Sequence, residues 1–115
     1  MSRAEALSPA RVKDAAPLFA ALGDATRLGL LVCLCSGGPL SVTRLSSHFA
    51  VSRQALAKHL EVLSEAGLVR SRRQGRERIW ELEPRRLDDA QHYLDRLSRQ
   101  WDDALERLKA FVERP

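Results

Sequence analysis

The sequence predicts a mainly helical single domain, five helices with one small two-stranded β-hairpin, and three observations carry this reading. Apolar residues recur three or four apart through most of the 115-residue chain. Gly23, the run Ser36-Gly37-Gly38-Pro39 and Gly67 interrupt that spacing at intervals suited to separate helices. Only from Leu68 to Leu82 does the pattern change to alternation, around Gly75. The length allows one compact domain and is too short for two self-sufficient cores, so residues 1–115 form one unit. An apolar share of 44% supplies a core, and a charged share of 30% does not push the chain into the disordered class.

Ser8 can cap a first helix with Pro9 at its first position, and Val12, Ala15, Ala16, Phe19, Ala20 and Leu22 follow on one face until Gly23. Asp24 can cap a second, carrying Leu28, Leu30, Leu31, Val32 and Leu34. That helix is apolar almost all round and is expected to be the buried centre. Ser41 can cap a short third helix over Val42 to Phe49, and a tight turn at Ala50-Val51 leads into a fourth from Ser52 to Ala66, stopped by Gly67. Two short helices joined in this way, the second basic at its start, have the layout of a helix-turn-helix.

Leu68 to Arg73 and Arg76 to Leu82 read as two strands joined at Gln74-Gly75, a wing beside the helix pair. After Pro84, the residues Leu87, Ala90, Leu94, Leu97, Trp101, Leu105, Leu108 and Val112 keep helical spacing to the end of the chain. A helix of about 25 residues reaches roughly 38 Å, longer than one core of this size can cover. Part of it is therefore expected to pack on a second copy. The ends, Met1 to Leu7 and Glu113 to Pro115, are expected to fray.

Composition narrows the function. No stretch approaches the roughly 18 apolar residues of a membrane span, and the opening MSRAEALSPA lacks the apolar run of a signal peptide, so a cytoplasmic location is expected. Cys33 and Cys35 are too few for a disulfide framework and badly spaced for bridging each other. There is no Gly-rich phosphate loop and no coherent set of nucleophile and base, so an enzyme is not expected. Net charge is +4. Between Val51 and Trp80 seven basic residues (Arg53, Lys58, Arg70, Arg72, Arg73, Arg76, Arg78) meet only Glu61, Glu65 and Glu77, so this segment holds the whole excess. A localised excess of this kind is the footprint of a face that binds a polyanion, though a solvated basic surface gives the same count.

Five segments in unbroken order carry a resemblance: Phe19-Ala20-Ala21-Leu22-Gly23-Asp24-Ala25-Thr26-Arg27-Leu28, Leu45-Ser46, Val51-Ser52-Arg53-Gln54-Ala55-Leu56-Ala57-Lys58-His59-Leu60, Leu63-Ser64-Glu65-Ala66-Gly67-Leu68-Val69 and Arg73-Gln74-Gly75-Arg76. Over roughly Ala15 to Leu82 the chain resembles the ArsR-type winged-helix repressors. The resemblance implies a homodimer joined by its first and last helices (about 9–22 and 87–112), with a reading head at about 41–82 on an inverted-repeat DNA operator. It implies repression relieved by an inducer, whose identity the sequence does not give. The interface would be built from Phe19, Leu22, Leu94, Leu97, Trp101, Leu105 and Leu108.

On the fourth helix Leu56, Leu60 and Leu63 fall on one side and Gln54, Lys58 and Glu61 opposite. Arg53 and Gln54 have the reach to read base edges, Ser52 can cap the helix or touch phosphate, and Lys58 suits phosphate. In the wing Gly75 permits the turn, while Arg72, Arg73, Arg76 and Arg78 can meet phosphate or enter the minor groove. Alternation forbids them all from pointing one way, and Arg73 and Arg76, flanking the tip, are favoured. His59 is expected to be a partly buried structural residue.

No metal or cofactor is expected. Where arsenic sensors of the family carry a Cys-Val-Cys element this chain has Ser41-Val42-Thr43, and the final helix offers Asp88, Asp89 and His92 without a second histidine. Cys33 and Cys35 are read as small buried hydrophobes, with a sensor of oxidants or thiophilic metals as the alternative. A winged-helix module that binds a protein partner is the other alternative, and the one-sided arginines argue against it.

Overall fold

The computed structural model describes residues 8–113. Their order is α1 (Pro9–Leu22), α2 (Ala25–Gly37), β1 (Leu40–Ser41), α3 (Val42–Ser46), α4 (Arg53–Glu65), β2 (Val69–Gln74), β3 (Glu77–Leu82) and α5 (Pro84–Val112). Of the ends expected to fray, only Glu113 lies within the described residues, where it closes α5.

Each helix begins on a side chain able to satisfy its orphan N–H groups. The backbone N–H groups of Arg11, Arg27, Arg44 and Ala55 donate to Ser8, Asp24, Ser41 and Ser52. Glu83 accepts from Arg85 N–H at the start of α5, with Pro84 inside the first turn. The Arg27 backbone N–H is the main reason the Asp24 carboxyl sits below its ordinary value of 3.8, with the Arg27 and His59 charges adding to it. A depressed carboxyl contributes stability that is present above its unfolded pKa and is lost as pH falls through the folded one. Asp24→Ala is therefore expected to lower the melting temperature at pH 7, and the gap from the parent should narrow as scans are repeated below pH 4.

Leu18, Leu30, Leu45, Leu56, Leu60, Leu63 and Leu68 are fully buried. They come from α1, α2, α3, α4 and the turn after α4, so one core ties the helix-turn-helix to α1 and α2, and Trp80 and Val69 seal it from the sheet side. Burial of each such leucine contributes roughly 1.5–3 kcal/mol.

Four expectations need correction. α3 ends at Ser46 rather than Phe49, because Ser47, His48 and Phe49 donate to carbonyls three residues back, a tightened turn that cannot carry an α-helix on. The Ser46 and Ser47 hydroxyls also donate to the carbonyls of Thr43 and Arg44. The hairpin turns at Gly75-Arg76, not Gln74-Gly75, since Gln74 pairs with Glu77. The sheet has a third strand: Leu40 and Ser41 pair with Trp80 and Ile79, giving the antiparallel order β1-β3-β2. Finally, α2 is not buried all round. Leu30, Leu31 and Leu34 are, but Leu28 and Val32 are 50% and 58% exposed and Cys35 lies beside them at helical spacing.

α5 is 29 residues long and reaches about 44 Å. Its first turns pack on α1, where Arg86 pairs with Asp14 and the Tyr93 ring lies 5.6 Å from Phe19. The rest runs past the core, which explains a longest dimension of 69 Å. No single helix is long and apolar enough to cross a membrane among the described residues.

Candidate nucleic-acid interface

The second helix of the helix-turn-helix layout is α4, whose inner side is set by Leu56, Leu60 and Leu63, each 0% exposed. Gln54, Lys58 and Glu61 accordingly face outward. Ser52 spends its hydroxyl on the Ala55 N–H. Arg53 donates to Thr43 Oγ1, which braces the start of α4 against α3. Gln54 and Lys58 form no side-chain hydrogen bond among the described residues, so their polar ends are uncommitted. His59 is three-quarters buried, with Nδ1 3.3 Å from the Arg27 guanidinium, the structural role expected of it.

In the wing Gly75 has φ 65°, and Arg76 has negative φ. A two-residue loop with a left-handed first residue only is a II′ turn, which matches the strand twist and needs glycine there. The register sorts the arginines by face. Arg73 stands opposite Arg78 on the side that continues to Trp80, and the Arg78 guanidinium lies 6.0 Å from the Trp80 ring. Arg70 and Arg72 take the other side. Arg70 is bound to Glu81 at 2.8 Å and Glu83 at 2.7 Å, and Arg72 lies 3.6 Å from Glu81 and donates to Gln74. The hydrogen bond from Arg70 holds the Glu81 carboxyl below its ordinary range, with the two guanidinium charges adding to it.

The basic excess thus divides into two neutralised arginines on one face and Arg73, Arg76 and Arg78, which form no ion pair among the described residues, on the other face and tip. Arg53, Arg76 and Arg78 line one cleft, with Thr43 between helix and wing. Arg72 and Arg73 lie on opposite faces of the wing, as alternation predicts, and Arg72 is the one engaged by Glu81 and Gln74. Arg78, absent from the favoured set, shares the open face; its cross-strand pairing with Arg73 depends on the turn position, which the sequence reading displaced by one residue.

Along α5, Leu94, Leu97, Trp101, Leu105 and Leu108 are 45% to 64% exposed, and Phe111 and Val112 extend the same stripe. Phe19 and Leu22 differ, being half-buried against their own core. Neither cysteine is disulfide-bonded, and Cys35 is exposed rather than buried. Ser41 and Thr43 are engaged as a helix cap and as the Arg53 partner, His92 Nδ1 donates to the Asp88 carbonyl, and Asp89 pairs with Arg86. Among the described residues no group of three or more His, Cys, Asp or Glu could hold a metal ion.

This architecture has close counterparts. A helix-turn-helix domain model matches residues 22–72. An ArsR-like transcriptional regulator from Rhodococcus sp. RHA1 superposes with a TM-score of 0.80 at 35% identity, over 93% of this chain and 97% of that one. An HTH-type transcriptional regulator of Mycobacterium tuberculosis is 40% identical over 85 residues, 74% of this chain and 76% of the relative. The chain belongs to the ArsR family of transcriptional regulators. The arsenical resistance operon repressor of Escherichia coli is a further relative, 37% identical over 67 residues, of whose length the chain spans 57%. As a member of this family the chain is a DNA-binding transcriptional regulator, with α3 and α4 as its helix-turn-helix and β2–β3 as its wing.

Proposed function

We propose that the chain is a homodimeric repressor that acts in the cytoplasm on an inverted-repeat DNA operator and leaves it in response to a signal. Residues 41–82 form the reading head, and 9–22 with 87–112 the dimer interface. The supporting observation is the convergence of Arg53, Arg76 and Arg78, against the one carboxylate of Glu77, on one cleft between the helix-turn-helix and the wing, a net positive site for a polyanion. Gln54 and Arg53 read base edges, Ser52 and Lys58 position α4 on the backbone, and Gly75 lets the wing tip approach closely. Arg73 and Arg76 meet phosphate or the minor groove. Arg72 takes part on the outer side of the wing, where its pair with Glu81 competes with DNA. Leu94, Leu97, Trp101, Leu105 and Leu108 carry the contact with the second subunit, and Phe19 and Leu22 of α1 complete it, Phe19 also lying beside the Tyr93 ring of α5.

Salt titration of DNA binding tests the division of arginines. Each phosphate contact contributes about 0.9 to the slope of log affinity against log salt. Arg73→Ala is expected to make the slope shallower by about one per lost contact, counted once in each subunit. Arg72→Ala should change it far less. Equal losses from the two variants would refute the assignment of the open face.

A further inference from the structure

Four arginines among the described residues are half-buried: Arg11, Arg27, Arg86 and Arg96. A guanidinium drawn out of water without a partner costs free energy, and a long cationic side chain on a helix surface ordinarily carries its head into solvent. Two of the four are accounted for. Arg27 donates to the carbonyls of Ala21 and Ala20 and to His59. Arg86 lies 3.0 Å from Asp89 and 3.5 Å from Asp14, joining α5 to α1. Arg11 and Arg96 form no ion pair and no side-chain hydrogen bond among the described residues. Both line the same cavity of about 370 Å³ between α1 and α5.

Asp14 and Asp89 share the single guanidinium of Arg86, so with Arg11 and Arg96 the lining holds three cations against two carboxylates, an excess of one positive charge. Ala15, Leu18 and Tyr93 supply an apolar wall. The His92 ring is fixed by its Nδ1 bond to the Asp88 carbonyl at 2.8 Å, which leaves Nε2 uncommitted. On a 100° wheel His92 and Arg96 lie roughly opposite Leu94 and Trp101, so a second subunit covering the exposed stripe leaves this side of α5 open.

We infer that the α1–α5 cavity binds a small organic monocarboxylate, the carboxylate held by Arg11 and Arg96 and the apolar body packed on Leu18 and Tyr93. Two unmatched guanidiniums beside an apolar wall fit one carboxylate with a hydrocarbon or aromatic body. A second carboxylate would meet Asp14 and Asp89 with no free cation left to match it. The volume is at the small end of the roughly 300–1,000 Å³ typical of ligand sites, which selects a compact molecule. Such a ligand would clamp α1 to α5, the two helices proposed to set the dimer. It would therefore supply the chemistry of the releasing signal, and only that consequence rests on the proposed function.

The test uses the intact protein without DNA. Salicylate, phenylacetate and hexanoate are titrated to millimolar concentration by thermal shift, each against its neutral amide, with inorganic phosphate as a further arm. At least one carboxylate is expected to raise the melting temperature saturably, while the amides and phosphate do not. Arg11→Gln and Arg96→Gln should each weaken that carboxylate about tenfold or more, as loss of a charged hydrogen bond implies, and the double variant should show no shift. Arg107→Gln, on the same helix away from the cavity, should bind as the parent does. The unliganded melting curves of the variants report that they are folded. Silence from all three carboxylates, equal binding of the amides or phosphate, or full binding by the double variant would overturn the inference. A protein that binds carboxylate but no DNA would instead overturn the proposed function alone.

Discussion

Leu97→Asp combined with Leu105→Asp is expected to convert a dimer into a folded monomer and to cut operator affinity by about 10²–10⁴-fold, the range lost when two linked binding heads are separated. Both leucines are about half exposed on the isolated subunit, 45% and 47%, so aspartate there meets water and leaves the core untouched. In a dimer that buries the stripe, the same change places four carboxylates in an apolar seam, each costing several kcal/mol without a partner. Sedimentation equilibrium at micromolar concentration reads the first effect and titration of operator DNA the second. An unchanged dimer would show that the stripe from Leu94 to Leu108 is not the interface.

Gln54→Ala and Arg76→Ala are expected to fail in different ways. Gln54 stands exposed on the first turn of α4 with its amide uncommitted, where a bidentate contact to a base contributes roughly 1–3 kcal/mol of discrimination. Its loss should relax the preference at one position of each half-site, about 5- to 150-fold in relative affinity, with little effect on scrambled DNA. Arg76 occupies the turn itself at the wing tip. Its loss should weaken operator and scrambled DNA alike and lower the salt slope by about one per contact. Binding of both variants to both DNAs across a salt series separates these outcomes. The opposite pattern would exchange the roles of helix and wing.

The helices were legible because their signals are local. Serine or aspartate caps, a helical repeat of leucines and a terminating glycine sit within a few residues of each other, and Ser52, Leu56, Leu60 and Leu63 lie where that grammar puts them. The short strand at Leu40-Ser41 gave no such signal, since two residues cannot show alternation and their partners are nearly forty positions away. The wing shows the same limit more sharply. Moving its turn by one residue pairs Arg73 with Arg78, and although alternation separates Arg72 from Arg73 by face, no periodicity shows that Arg72 is the one tied to Glu81. Leu28 and Val32 escaped for a different reason: an apolar helix in a small domain need not be covered on every side by its own chain. The cavity between α1 and α5 is a tertiary feature, joining Arg11 to Arg96 across most of the sequence.

Selection of bound fragments from random DNA by the 115-residue chain tests the central reading most directly. A two-fold dimer with one reading head per subunit should enrich an inverted repeat whose half-sites lie about one helical turn, 10–10.5 base pairs, or a multiple of it apart. That enrichment should disappear for Leu97→Asp with Leu105→Asp. Recovery of a single unrepeated half-site, of direct repeats, or of no enriched sequence at all would contradict it.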